Sequence, residues 1–229
     1  MNGAPPLHDG LEETAIATED LIGALAKDLA PVRPVRWQAA ALASLATGIV
    51  CALALGIVPG WRPDVARGAP AAIVEQRLAL LVLAGALLAM AAAREAMPGA
   101  KKALLRRAGL ALAALPMMIA VLSWPVAAAT VQQAARLELA GIGRCLLIAT
   151  ACALPPLVVL VHWARRSGAV TRPERAATTI GLAAGAIGTA AYSLTCPSQH
   201  WLFAGIAYPL AIALSAASAR IVLPRWLRW

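Results

Sequence analysis

The chain has 229 residues, 61% of them apolar and 14% charged, with a mean hydropathy of +0.73 and a formal charge of +9. Soluble domains carry about 25% charged residues, so the composition excludes a soluble globule and indicates an all-α, polytopic membrane protein. The positive charge sits at the ends of apolar runs, where it sets membrane orientation, and this argues against nucleic-acid binding.

Residues 1–17 are polar and punctuated by Pro and Gly, a composition that reads as disordered. The first 36 residues are not a secretory signal, since they are acidic and precede the first apolar run, and no lipidation motif follows Met1 or ends the chain. Across about 18–30 the pattern changes. Leu21, Ile22, Leu25 and Leu29 recur at helical spacing, with Glu19, Asp20, Lys27 and Asp28 on another face. Thr18 is placed to cap this helix and Pro31 to stop it, with Pro34 stiffening the linker that follows. A helix of about three turns is marginal alone in water, so its apolar face needs a partner. Helices that lie on membranes usually carry a basic polar face. This one is mainly acidic, which points to a protein partner.

From residue 37 onward six apolar runs approach the roughly 20 residues needed to cross a bilayer. They lie near 38–58, 73–93, 103–123, 144–163, 176–194 and 201–222, giving a cytoplasmic segment 1–36 and a six-helix transmembrane domain 37–229. With the N-terminus inside, only Arg62, Arg67, Arg77, Arg136 and Arg144 of the 20 Arg and Lys residues fall outside, as the positive-inside rule requires. All seven Trp residues fall at span ends, where an aromatic belt belongs. Both termini are therefore expected on the cytoplasmic side of the membrane.

Gly181, Gly185 and Gly188 have the spacing of a close helix contact. Pro116, Pro155, Pro156 and Pro209 fall within spans and read as shape features. No acidic residue lies mid-span, which weighs against ion-coupled transport. Ser44, Ser123, Ser193, Ser215 and Ser218 read as packing residues, and neither a catalytic residue nor a cofactor is expected.

Four cysteines remain. Cys51 and Cys152 read as small buried residues. The topology brings Cys145 and Cys196 to one depth at the outer face, next to an oxidising compartment. They are open to three readings: a structural disulfide, two unrelated thiols, or a pair that senses oxidants or soft metal ions. In the third reading Arg144 favours the thiolate and His200 is an extra metal ligand beside Cys145 and Cys196.

Several segments together resemble one family. They are Asp20-Leu21-Ile22 through Leu29, Pro31 and Val32; Gly60-Trp61-Arg62-Pro63-Asp64; Pro98-Gly99; Arg144-Cys145 followed by Pro155; Tyr192 followed by Cys196-Pro197; and the Leu223–Trp229 terminus. They look like the NrsF-like family of six-span anti-sigma factors, negative regulators of extracytoplasmic-function sigma factors. The resemblance implies an inner-membrane protein whose N-terminal segment holds a sigma factor, through Leu21, Ile22, Leu25, Asp28, Leu29, Pro31 and Val32. It also implies stress sensing, redox or heavy-metal, by Cys145 and Cys196. Ser198 stands where the family commonly has an acid, removing one potential metal ligand. The competing classes are a small transporter or channel, and a structural membrane subunit with an N-terminal docking helix.

Overall fold

The computed structural model describes residues 18, 20–23, 26, 36–95, 97, 103–167, 170–198 and 201–227, with backbone alone for residues 59, 123–140, 167 and 201–203. The chain divides into two compact units, Met1–Val35 and Arg36–Trp229. In the first, residues 18, 20–23 and 26 are helical, and Leu21 and Ile22 are each 60% exposed. Leu25, Asp28, Leu29, Pro31 and Val32 lie outside the described residues, as do residues 1–17.

The second unit is helical, with no strand among its described residues. Helix α1 (Trp37–Leu55) runs into a π-helical turn, Gly56–Gly60, and a short α2 (Pro63–Ala66). Then come α3 (Ala72–Glu95), α4 (Ala103–Ser167), α5 (Pro173–Ser193), α6 (Trp201–Val222) and α7 (Pro224–Leu227). The packing logic inverts that of a soluble protein. On α1 the buried residues are Ala40, Ala41, Ser44, Gly48 and Ala52, whereas Leu42, Ile49, Val50 and Leu53 face outward. Small residues let backbones approach while large apolar ones face outward, the pattern expected of helices packed in lipid, whose tails leave no hydrophobic drive between helices.

Five stretches are long and apolar enough to cross a membrane: Trp37–Val58, Ala72–Glu95, Ala103–Leu122, Gly141–Arg166 and Ala204–Val222. They match five of the six expected runs. The remaining run, 176–194, falls within α5 except for Leu194 at its C-cap, and this helix is less apolar because it is built of Ala, Gly and Thr. It is also the most enclosed helix, with residues 179–181 and 183–193 buried without a break. Its glycines explain the enclosure. A Cβ at Gly181 would lie 2.6 Å from the Ala219 Cβ and one at Gly185 3.0 Å from the Ile212 Cα, both on α6. At Gly188 the neighbour is the Ala153 backbone nitrogen of α4, 2.5 Å away.

The length of α4 was not expected. A straight helix of 65 residues would run about 97 Å at 1.5 Å per residue. Its contacts show that it doubles back instead. Gly109 packs on Leu88 near the C-terminal end of α3, and the chain then passes Gly205 of α6 at Pro116 and Ala120. The second apolar stretch begins with Cys145 at the opposite end, beside Cys196, and returns past Gly188 at Cys152 and Ala153. The reversal lies between Ala120 and Cys145, where the backbone remains helical. The prolines do not break the helices either: Pro116, Pro155 and Pro156 lie within α4, and Pro209 within α6.

Candidate functional site

The end of α5 creates a problem that nearby arginines solve. The last four carbonyls of a helix have no partner within it and carry partial negative charge. At α5 the Tyr192 carbonyl accepts from the Thr195 and Cys196 backbone N–H groups, at 3.0 and 3.1 Å, and from the Thr195 hydroxyl. The Ser193 carbonyl accepts from Arg77 Nη2 at 3.3 Å. Arg77 Nη1 donates to the Ser198 carbonyl at 2.9 Å, so one guanidinium spans the Cys196 turn. Arg77 is fully buried, with its guanidinium 5.8 Å from the centre of the Tyr208 ring. A buried cation is costly unless hydrogen-bonded, and these carbonyls, with the ring face, supply that environment.

A second arginine closes the turn from the first loop. Arg62 Nη1 donates to the Cys196 carbonyl at 2.6 Å and to the Ser198 carbonyl at 3.1 Å. Its other edge forms a bidentate pair with Asp64, Nε to Oδ1 at 2.9 Å and Nη2 to Oδ2 at 3.1 Å. Asp64 Oδ2 also accepts from the Ala71 backbone N–H. The Arg62 guanidinium holds the Asp64 carboxyl well below the usual carboxylate range. The π-helical turn and the proline at the start of α2 aim this loop, and Gly60 supplies its positive φ of 88°.

Within this frame Cys145 and Cys196 meet. Both are free, buried thiols, and their side chains share a hydrogen bond. Tyr192 and Tyr208 flank the sulfurs. Cys196 lies beyond the end of α5, and its thiol is held below its ordinary pKa. The Cys145 hydrogen bond is the largest cause, ahead of the Ser198 backbone N–H, Tyr208 and the Arg77 charge, while burial opposes them. Cys196 lines a cleft of about 850 Å³ between the Trp61–Asp64 loop, α4 and the Cys196 turn, with Arg67 and Arg144 also on its walls. Cys51 and Cys152 make a second approach between α1 and α4, with the Cys51 sulfur 3.8 Å from the Cys152 carbonyl.

The other residues singled out from the sequence fall elsewhere. Arg144 is exposed on the cleft wall, whereas the cation that acts on Cys196 is the buried Arg77. His200 lies outside the described residues, and among the described residues no three His, Cys, Asp or Glu side chains cluster to hold a metal. The Ser44, Ser193 and Ser215 hydroxyls donate to carbonyls of their own helices, at 2.8, 2.7 and 3.0 Å. Sequence reasoning missed Arg62 and Arg77 as site residues. The signal for Arg62 was the Trp61-Arg62-Pro63-Asp64 string, while Arg77 had none beyond its place near the start of an apolar run.

A family model described as "NrsF: Negative regulator of sigma F" matches residues 25–229. No curated protein and no solved structure matches the chain.

Proposed function

The chain belongs to the NrsF family of negative regulators of sigma F, and from that premise we propose that it is a membrane-embedded anti-sigma factor with a thiol switch at its outer face. In this reading six helices cross the bacterial inner membrane with both termini in the cytoplasm, α5 being the crossing sheltered by the others. The N-terminal helix lays Leu21, Ile22, Leu25 and Leu29 into a groove of an extracytoplasmic-function sigma factor, with Asp28, Pro31 and Val32 completing the contact. Each such side chain contributes about 1.5–3 kcal/mol when fully buried, enough together to offset the ordering of a short helix.

The observation that carries the sensing role is the meeting of Cys145 and Cys196 under the two-arginine clamp, 51 positions apart in sequence. A two-electron oxidant such as hydrogen peroxide takes two electrons from the pair. The two thiols lose their protons, an S–S bond forms, and the peroxide leaves as two waters. A soft metal ion bridging the two sulfurs is the parallel signal, with His200 as a third ligand. Either event draws α4 and the Cys196 turn together, since a disulfide requires Cα atoms about 4.4–6.8 Å apart. The close Gly188 contact with α4 and the Gly181 and Gly185 contacts with α6 then transmit the shift. The switch operates if the linked pair changes the balance between sigma-holding and sigma-free states, and a clear response takes a few kcal/mol.

The test is a sigma-dependent reporter in cells carrying Cys145→Ser, Cys196→Ser and the double variant, with and without oxidant or soft metal. Sensing predicts normal silencing in unstressed cells and loss of induction in each variant. Unchanged induction in all three refutes the sensing role. In the same cells, deletion of residues 1–36 must abolish silencing if that segment holds the sigma factor.

A further inference from the structure

At the other end of the bundle, a second cleft has the chemistry of a lipid site. It encloses about 610 Å³ between the last turns of α4 and the α6–α7 junction. One wall is apolar, formed by Leu157, Val158 and Val161 of α4 facing Val222 and Leu223. Val158 is 61% exposed and Val222 53%, so this wall opens outward, where lipid tails would lie. One turn further along α4 the lining changes to His162, Arg165 and Arg166, and Trp226 stands across from them, 61% exposed. None of the lining residues is acidic. Arg165 and Arg166 make no ion pair among the described residues, whereas Arg220, near Trp226 in sequence, faces Glu174 at 3.9 Å.

We infer that this cleft seats an anionic phospholipid. The lipid phosphate lies between the Arg165 and Arg166 guanidiniums, and its acyl chains run along Val158 and Val222. Three features favour this occupant. Two adjacent unpaired guanidiniums repel each other, and a phosphate relieves this while accepting paired N–H bonds that suit its geometry. A Trp at the rim marks the depth of the headgroups. Basic recesses between membrane helices bind anionic headgroups. A zwitterionic lipid would bring a third cation into a cleft that already holds two. The inference requires only that the helices lie in a bilayer, and it stands apart from the thiol switch.

Native mass spectrometry of the full-length protein released from membranes tests this. Phosphatidylglycerol or cardiolipin should be retained at least fivefold over phosphatidylethanolamine. The preference should disappear in Arg165→Gln/Arg166→Gln and survive in the control Arg172→Gln/Arg175→Gln. An Arg165→Lys/Arg166→Lys protein, which keeps the charge and loses the paired bonds, should fall between them, and circular dichroism confirms that each variant is folded. In nanodiscs, brominated phosphatidylglycerol should quench the fluorescence contributed by Trp226 more than brominated phosphatidylcholine does, read as wild type minus Trp226→Phe. Equal retention of all headgroups, equal quenching by the two lipids, or displacement of the lipid by millimolar inorganic phosphate overturns the proposal. The last outcome would assign the cleft to free phosphate.

Discussion

Replacing Gly188 by Ala tests whether close approach of α5 to α4 holds the bundle in register. The added Cβ would stand 2.5 Å from the Ala153 backbone nitrogen, 2.7 Å from the Cys152 carbonyl carbon and 2.8 Å from the Ala153 Cα. Unstrained heavy-atom contacts lie at about 3.5–4.0 Å, so the helices must part by about 1 Å. The obstacle is backbone, and no side-chain rotation relieves it. Overpacking of this kind costs about 1–3 kcal/mol. Alanine also favours a helix over glycine by up to about 1 kcal/mol, so a control is needed that gains the same term without the clash. Gly143→Ala on α4 is that control, because nothing lies within 4 Å of its Cβ position. The stability difference between the two variants therefore isolates the packing cost. Unfolding of the purified protein in mixed micelles titrated with sodium dodecyl sulfate measures it. Gly188→Ala should be less stable than Gly143→Ala by about 1–3 kcal/mol, and it should form the Cys145–Cys196 disulfide more slowly. A difference within about 0.5 kcal/mol, the usual error of additivity, would refute the argument.

Three further outcomes follow from the site. A small thiol reagent such as methyl methanethiosulfonate should modify Cys196 at pH values below the ordinary thiol pKa of about 8.5, because the thiolate is the reactive form. Cys145→Ala removes the principal hydrogen bond to that thiolate, so the pH profile should move upward, whereas Cys145→Ser should move it less; superimposable profiles would rule out the hydrogen bond as the cause. Arg62→Gln removes the arginine donor to the Cys196 carbonyl and leaves the Ser198 carbonyl to Arg77, and hydrogen exchange at the Thr195 and Cys196 amides should quicken by about tenfold, the equivalent of one hydrogen bond near 1–1.5 kcal/mol. Unaltered exchange would mean that Arg77 alone holds the turn. Ile22→Asp in the full-length protein should derepress the sigma-dependent reporter at unchanged protein level, and retained silencing would remove Ile22 from the partner contact.

The all-helical class and the five stretches apolar and long enough to cross a membrane were legible because lipid demands runs of apolar residues, and composition records that directly. The placing of Cys145 and Cys196 at one end was also legible from counting apolar runs, but their meeting was not, since depth along a bundle does not say which helices are neighbours. Two arginines were not. Charge patterning treats Arg62 and Arg77 as markers of orientation, yet both are buried against carbonyls more than 110 positions away. No local pattern encodes such a partner. The helical link inside α4 escaped for a different reason. Residues 126–140 looked like a connection between spans, but Ala, Leu, Gln and Glu dominate them, and these strong helix formers carry the helix through.

The composition of α5 bears on how the protein is made. In the six-crossing topology a segment of Ala, Gly and Thr partitions into lipid only weakly when it leaves the translocon by itself. Its insertion then waits for α6, whose face from Ile212 to Ala219 receives Gly181 and Gly185. The two enter as a hairpin, so a ribosome stalled before α6 emerges would leave α5, and Cys196 with it, on the wrong side of the membrane.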